Sequence, residues 1–396
     1  MRILIIETES IGHYLVGYIK YILRCLNKKK FQVTILTTKK TSQHPSFLIL
    51  KNENKNINLE FIKKIKLKNK QTISLIFYQI KLYFSIKKKF RYLNKKSKFD
   101  HVILNSFERF DKALCVFGTP FQNVNFSGIY LGIRFHLKEY KIFFKGRFDF
   151  ISKFLFQRLI KLQNLKAILT NDFFLVRYLK KKRFVNYNKV HFLHEPKEFN
   201  YSYNKLVARK NLNLSKKSKL LLVYGALIQS KGIKELVSAI LDSNINKNLS
   251  VVLAGQQSEE INNFFNTKVL QNLIFNKKLY IFSGWQSEIN EAKIFSACDI
   301  VWIGYNNYPI PSGVLYQAAT KRLPIIVSNK GIINHFNKKY KLGYTVNLNN
   351  TSDIVNKINA MCDYSNYISF FSNIEKFRRK ANPNIWINKF KKVVIN

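Results

Sequence analysis

Residues 299–331, DIVWIGYNNYPIPSGVLYQAATKRLPIIVSNKG, constrain the fold more than any other stretch of this chain. An apolar strand over 299–303 runs into a loop rich in Asn, Tyr and Pro. Pro311-Ser312-Gly313 supplies a stop and an N-cap, residues 314–320 carry apolar side chains at helical spacing, and Pro324 ends that helix before a second strand over 325–328. The helix N-terminus has unsatisfied N–H donors, and the helix dipole adds to their pull on an anion such as phosphate. Strand, small-residue turn and helix occur in every α/β protein, so Ser312 and Gly313 alone read equally well as a plain helix start.

The stretch closes a longer alternation. LLLVYG (220–225) opens it as a strand, followed by a helix over 233–241, a strand over 250–254 ending at Gly255, a helix near 259–265, a strand at 280–282 before Gly284-Trp285, and a helix over 288–297. An earlier series precedes it. Residues 2–6 and 31–37 read as buried strands on either side of an Ile11-Gly12-His13 turn and an amphipathic helix over 14–26. That order opens a doubly wound sheet and puts Gly12 and His13 at the C-terminal end of the first strand, where ligands bind in such sheets. His13 reads as a site residue or as a turn residue. Further strands are expected at 101–105, 114–117, 167–170 and 190–193, with an aromatic, basic region over 122–162. Residues 197–219 are polar and aperiodic, as in an interdomain linker, and Trp386, Phe390 and Val393 share a terminal helical face. Two such series in one chain make the cleft between two domains the default site.

Charge narrows the class of partner. Lys and Arg number 68 against 22 Asp and Glu, a formal charge of +46 that draws anions: nucleic acid, acidic lipid or phosphorylated substrates. Residues 62–98 hold thirteen basic residues and no acid, with Ile73, Ile76, Phe77, Ile80 and Phe84 on one helical face. That is a basic amphipathic helix, suited either to an anionic membrane surface or to packing on its own sheet. Cys25, Cys115, Cys298 and Cys362 are far apart and lack metal-ligand or redox spacing, so buried free thiols are expected. No signal-peptide layout and no apolar run of membrane-spanning length appear, which points to a cytoplasmic protein, peripheral on the inner face of the cell membrane.

Gly225, Lys231-Gly232, Leu253-Ala254-Gly255, Gly284-Trp285, Ala297-Cys298-Asp299, Ser312-Gly313-Val314, Gln317-Ala318, Leu323-Pro324 and Gly331, in that order, resemble the C-terminal domain of family 4 glycosyltransferases, retaining enzymes of the GT-B fold. The resemblance runs from about residue 220 to 346, with fainter echoes at Gly12-His13 and over 190–196. It implies an α/β chain of two Rossmann-like doubly wound domains facing across a cleft: an acceptor-side domain over 1–196, a linker over 197–219, a nucleotide-sugar domain over 220–375, and a C-terminal helix over 376–396 packing back on the first domain. Lys231 matches the family's diphosphate lysine and, with His13 near the acceptor, is the catalytic candidate. Gly12, Gly225, Gly232, Gly255, Ser312, Gly313, Val314 and Gln317 join Lys231 as the donor-binding set. No metal is expected, since no metal-binding carboxylate motif appears, and the resemblance implies no catalytic carboxylate, since retention in this class uses the leaving phosphate as base. A UDP-sugar is the expected donor, and a glycan or lipid-linked acceptor at an anionic membrane surface the expected partner.

Three positions depart from the family pattern. Ala226 stands where an arginine is usual, and Pro309 and Gln317 replace two acids eight positions apart. The second acid grips the ribose hydroxyls, a role open to the Gln317 amide because it both donates and accepts. The first touches the donor sugar, which Pro309 cannot do. These departures keep a rival in play, an inactive GT-B scaffold serving as a partner subunit. A nucleic-acid-binding protein is a second, although the basic residues are spread over both domains and no nucleic-acid motif appears. A sugar-nucleotide epimerase of related fold ranks last.

Overall fold

The computed structural model describes residues 1–8, 14–27, 30–54, 57–67, 72–142, 149–306 and 308–396. The chain divides into two compact units, Met1–Pro196 with Pro383–Asn396, and Lys197–Asn382.

The first unit is built on seven parallel strands, β1 (Arg2–Ile6), β2 (Gln32–Thr38), β3 (Ile57–Ile62), β4 (His101–Leu104), β5 (Asn125–Ile129), β6 (Leu165–Thr170) and β7 (Val190–Phe192), in the order β3-β2-β1-β4-β5-β6-β7. Helices cover both faces, so β1 is a continuous apolar run instead of an alternating one. Its side chains still point alternately to two cores. Leu4 and Ile6 join Val102, Leu104 and Phe126 on one face, whereas Ile3 and Ile5 join Ile103, Leu169, Trp386 and Phe390 on the other.

The order of elements after β4 departs from the sequence expectation. Residues 114–117 are the end of a helix, Asp111–Phe117, with Val116 and Phe117 in solvent; a four-residue apolar run fits either element. The strand after β4 is instead β5, whose NFSGI sequence hides it. Gly128 is needed there because a Cβ would sit 2.2 Å from the Phe107 ring. In the Thr72–Lys96 helix, Tyr78, Leu82, Ile86, Phe90 and Leu93 are the residues buried in the core, so of the two readings of the basic stripe the one that packs it on its own sheet does not hold. Of that stripe, Ile76 is exposed, Phe77 is 60% exposed and Phe84 is 48% exposed.

The second unit has six parallel strands, β8 (Lys219–Tyr224), β9 (Leu249–Gly255), β10 (Leu279–Ser283), β11 (Ile300–Ile303), β12 (Ile325–Ser328) and β13 (Gly343–Val346), in the order β10-β9-β8-β11-β12-β13. Residues 197–219 are part of this unit and not a free linker. Their helix, Lys205–Asn211, is anchored by buried Arg209, which donates to the Ala297, Lys216 and Ser218 carbonyls and to Asp299 Oδ2 at 2.6 Å. Asp299 also accepts from Lys205 and the Leu220 N–H, so the buried charges are paired and hydrogen-bonded. The other boundary lies at 383 instead of 376. Helix Phe371–Lys380 stays with the second unit through Phe377, which packs on Tyr316 and Tyr340, and Pro383 starts a new helix.

That last helix, Pro383–Phe390, completes the first unit. Trp386 stacks on Phe390 with centroids 5.0 Å apart and lies 6.0 and 6.3 Å from Tyr18 and Tyr21. Among the described residues no helix is long and apolar enough to cross a membrane. Trp386→Ala opens a cavity between Tyr18, Tyr21 and Phe390 and is expected to cost the first unit about 3–5 kcal/mol. Urea unfolding followed by circular dichroism measures it, with the second unit's transition unchanged.

Candidate functional site

In each sheet the strand order reverses beside the first strand, and in open α/β sheets that reversal opens a crevice at the strands' C-terminal ends. In the second unit it falls between β8 and β11, and the loops that leave these two strands are tied together. The Trp302 indole N–H donates to the Lys231 carbonyl at 3.0 Å, and the Asn306 N–H to the Ser230 carbonyl at 2.8 Å. Glycines make the approach possible. A Cβ on Gly232, at φ +65°, would lie 2.2 Å from the Gly304 oxygen, and one on Gly255 would lie 1.9 Å from the Gly225 oxygen. Gly225 itself sits at φ +91°, and a Cβ there would lie 3.0 Å from Lys231 Nζ. Gly232 and Gly255 therefore serve the packing of the loops on one another.

Folded over the strand end in this way, Lys231 is only 8% exposed. Its ammonium donates to the Tyr224 carbonyl and lies 5.3 Å from the centre of the Tyr305 ring. No carboxylate pairs with it among the described residues. Burial pushes its pKa down to about 7. The site thus holds a desolvated amine whose charged form an arriving anion would favour.

The second loop ends in the Gly313–Thr320 helix, capped by Ser312, whose Oγ accepts from the Val314 N–H at 3.3 Å. The Val314 N–H is thereby engaged by the cap, which leaves that of Gly313 as the first helical donor. The Tyr305 hydroxyl lies 3.4 Å from Ser312 Oγ, so one tyrosine links the cap to the lysine. One turn into the helix, Gln317 is 9% exposed and donates from Nε2 to Glu291 Oε1. Glu291, on the Glu288–Ala297 helix, is also buried and pairs with Lys197 at 2.8 Å. The fold brings Gly225, Lys231, Gly232, Ser312, Gly313, Val314 and Gln317 to the two loops and the helix that flank this reversal, with Gly255 packed beneath. Tyr305, Trp302 and Glu291 belong to the same arrangement and were not singled out from the sequence; only the aromatic content of the loop hinted at the first.

Gly12 and His13 lie outside the described residues. At the β1/β4 reversal of the first unit, buried Glu7 accepts from Asn105 Nδ2 at 2.8 Å and Ser106 Oγ at 2.5 Å. The segments after β4 and β5 line a cavity of about 460 Å³ with Glu108, Arg109, Asp111, Tyr130 and Arg134 on its wall. Burial raises the Glu108 pKa to about 8, and Tyr130 donates to Asp111 at 2.6 Å. Among the described residues no group of His, Cys, Asp or Glu is placed to hold a metal ion.

Binding of inorganic pyrophosphate is expected to fix a proton on Lys231. Because the free ammonium titrates near 7, uptake should be greater at pH 8 than at pH 6, and affinity should fall as pH rises above about 7. Calorimetry in buffers of different ionisation heat reads the uptake, and Lys231→Met should remove the part due to this residue.

The model of the family described as glycosyl transferases group 1 matches residues 204–373. No curated protein matches the chain in sequence. Among solved structures, the chain is similar to Anabaena HepE in complex with UDP, at 13% identity over 99% of both chains and a TM-score of 0.70. It is similar to the sucrose-phosphate synthase of Thermosynechococcus elongatus, at 13% identity over 99% of this chain and 97% of that one, with a TM-score of 0.72. It is also similar to WaaG, a glycosyltransferase involved in lipopolysaccharide biosynthesis, at 12% identity over the whole of both chains and a TM-score of 0.64. The chain has the GT-B fold of these glycosyltransferases, and the group 1 match falls on the unit that carries Lys231 and Gln317.

Proposed function

We propose that the chain is a retaining glycosyltransferase that moves a hexosyl group from a nucleotide sugar, with UDP as the favoured nucleotide, to a surface-glycan acceptor carried on lipid. The observation that carries this reading is the buried, carboxylate-free ammonium of Lys231 beside the capped N-terminus of the Gly313–Thr320 helix. As the bond from the anomeric carbon to the β-phosphate oxygen breaks, negative charge grows on the diphosphate. Lys231 and the Gly313 N–H are fixed donors for that charge and need no reorganisation as it forms. The acceptor oxygen forms the new bond on the face the phosphate leaves, and its proton passes to the departing phosphate, so the step needs neither a protein nucleophile nor a metal. The UDP and UDP-glucose held by Anabaena HepE support the choice of nucleotide. The acceptor belongs in this reading to the first unit, where the cavity after β4 and β5 offers acids, cations and a tyrosine to sugar hydroxyls. A thermal-shift panel of UDP-, GDP- and CMP-sugars tests the reading. A donor at 100 times its dissociation constant should stabilise the protein by about 2.7 kcal/mol, and Lys231→Ala should abolish the shift. Absence of any shift overturns it in favour of the inactive partner subunit.

The lipid-linked part of the proposal has its own support. Phe77, Phe84, Phe117, Phe150 and Phe154 are exposed on three neighbouring helices of the first unit, Thr72–Lys96, Asp111–Phe117 and Asp149–Ile160. Phe84 and Phe117 lie 5.3 Å apart, and Cys115 Sγ is 3.0 Å from the Leu155 carbonyl. The Thr72–Lys96 helix has seven basic residues and no acid, and Lys88, Arg91 and Lys95 continue the exposed face past Phe84. Exposed rings beside a basic stripe suit an anionic bilayer, where each basic residue adds about 1 kcal/mol. Flotation with phosphatidylglycerol vesicles at low salt should carry the protein, and Phe77→Ser with Phe84→Ser should release it. No flotation of the wild type at low salt removes the membrane from the reading.

A further inference from the structure

Gln317 is an amide where the resemblance calls for a carboxylate, and the fold sets a carboxylate against it from another helix. Glu291 Oε1 accepts from Gln317 Nε2, and Lys197 Nζ lies 2.8 Å from the same oxygen. An ionised carboxylate only accepts, so the amide has one possible orientation: its NH2 toward Glu291 and its carbonyl away. The carbonyl oxygen makes no hydrogen bond among the described residues, yet it is not one of the sealed polar atoms that lack a partner. It is therefore open to solvent or to a ligand. Glu291 meanwhile has its charge matched by Lys197, both side chains being less than one-fifth exposed.

We propose that Glu291 is the positioning residue of the nucleotide site: the negative charge missing at 317 has moved one layer back, and it holds the Gln317 carbonyl toward the hydroxyl edge of a ribose. The inference rests on the nucleotide-sugar reading above and extends it to a residue that touches no ligand. With Lys197 neutralising Glu291, the ribose meets an uncharged acceptor in place of an acid, in a site that must also hold a diphosphate. The arrangement has a testable asymmetry. Restoring the acid with Gln317→Glu sets two carboxylates side by side with Lys197 paired to only one of them, so the change toward the family pattern should be harmful here. Combining it with Glu291→Gln rebuilds the amide–carboxylate pair with its ends exchanged.

The test is calorimetric binding of UDP and GDP, each beside its 2′,3′-dideoxy counterpart, to the full chain and three variants whose melting curves confirm folding. Glu291→Gln should weaken the ribonucleotide about tenfold, the scale of one neutral hydrogen bond, and the dideoxy form less than about twofold. Gln317→Glu should weaken it further, and the double variant should return to within about threefold of wild type. Equal losses for ribo and dideoxy forms, or a double variant no better than Gln317→Glu, overturn the role of Glu291 while the donor site stands. If wild type binds neither nucleotide, the donor reading and this inference fall together.

Discussion

An ammonium removed from water without a carboxylate beside it is costly to keep, and the second unit is arranged around keeping one. Lys231 reaches its place because Gly225 leaves the strand end open, because Trp302 grips the lysine's own carbonyl, and because Gly232 lets its loop rest on the Gly304 carbonyl. The Tyr224 carbonyl and the Tyr305 ring supply partial negative charge, enough to hold the side chain but not to neutralise it. Each of these features separately is ordinary loop packing. Together they hold a cation short of its counter-ion, at the reversal of strand order.

The two units repeat one topology with opposite electrostatics. The β1/β4 reversal holds a buried acid, Glu7, satisfied by Asn105 and Ser106. The β8/β11 reversal holds a buried base. The strand order that makes a crevice does not dictate its charge; the residues that leave the strands do. In the first unit the adjoining cavity mixes Glu108 and Asp111 with Arg109 and Arg134, a lining for neutral polar groups more than for a diphosphate.

What the sequence disclosed follows the physics of burial. Strands covered on both faces, such as β1, β8 and β11, are near-continuous apolar runs and stood out at once. β5 did not, because its interior carries Gly128, which makes room for Phe107, and Ser127, which bonds His101. The Thr72–Lys96 helix has apolar residues on two sides, and periodicity cannot say which side meets the sheet. Residues 197–219 are charged, yet Arg209 and Asp299 tie them into the second unit across a long sequence separation. The donor candidates of the second unit came from the family resemblance, and what the residues themselves marked was loop geometry: glycines, a proline and a cap. Glu291 was not, since its meeting with Gln317 depends on how two helices sit on the sheet.

The terminal helix carries a consequence for the order in which the protein is made. Ile3 and Ile5 share a core with Trp386, Phe390 and Val394, so a unit begun before residue 196 is closed only after residue 383. While the second unit is still being synthesised, Tyr18 and Tyr21 have no indole to rest on, and the nascent first unit presents an unsealed apolar seam. The second unit has no such debt, since all its strands and helices lie between residues 197 and 382. It can fold as soon as it emerges, whereas the older unit becomes native only after residues 383–394 have been made.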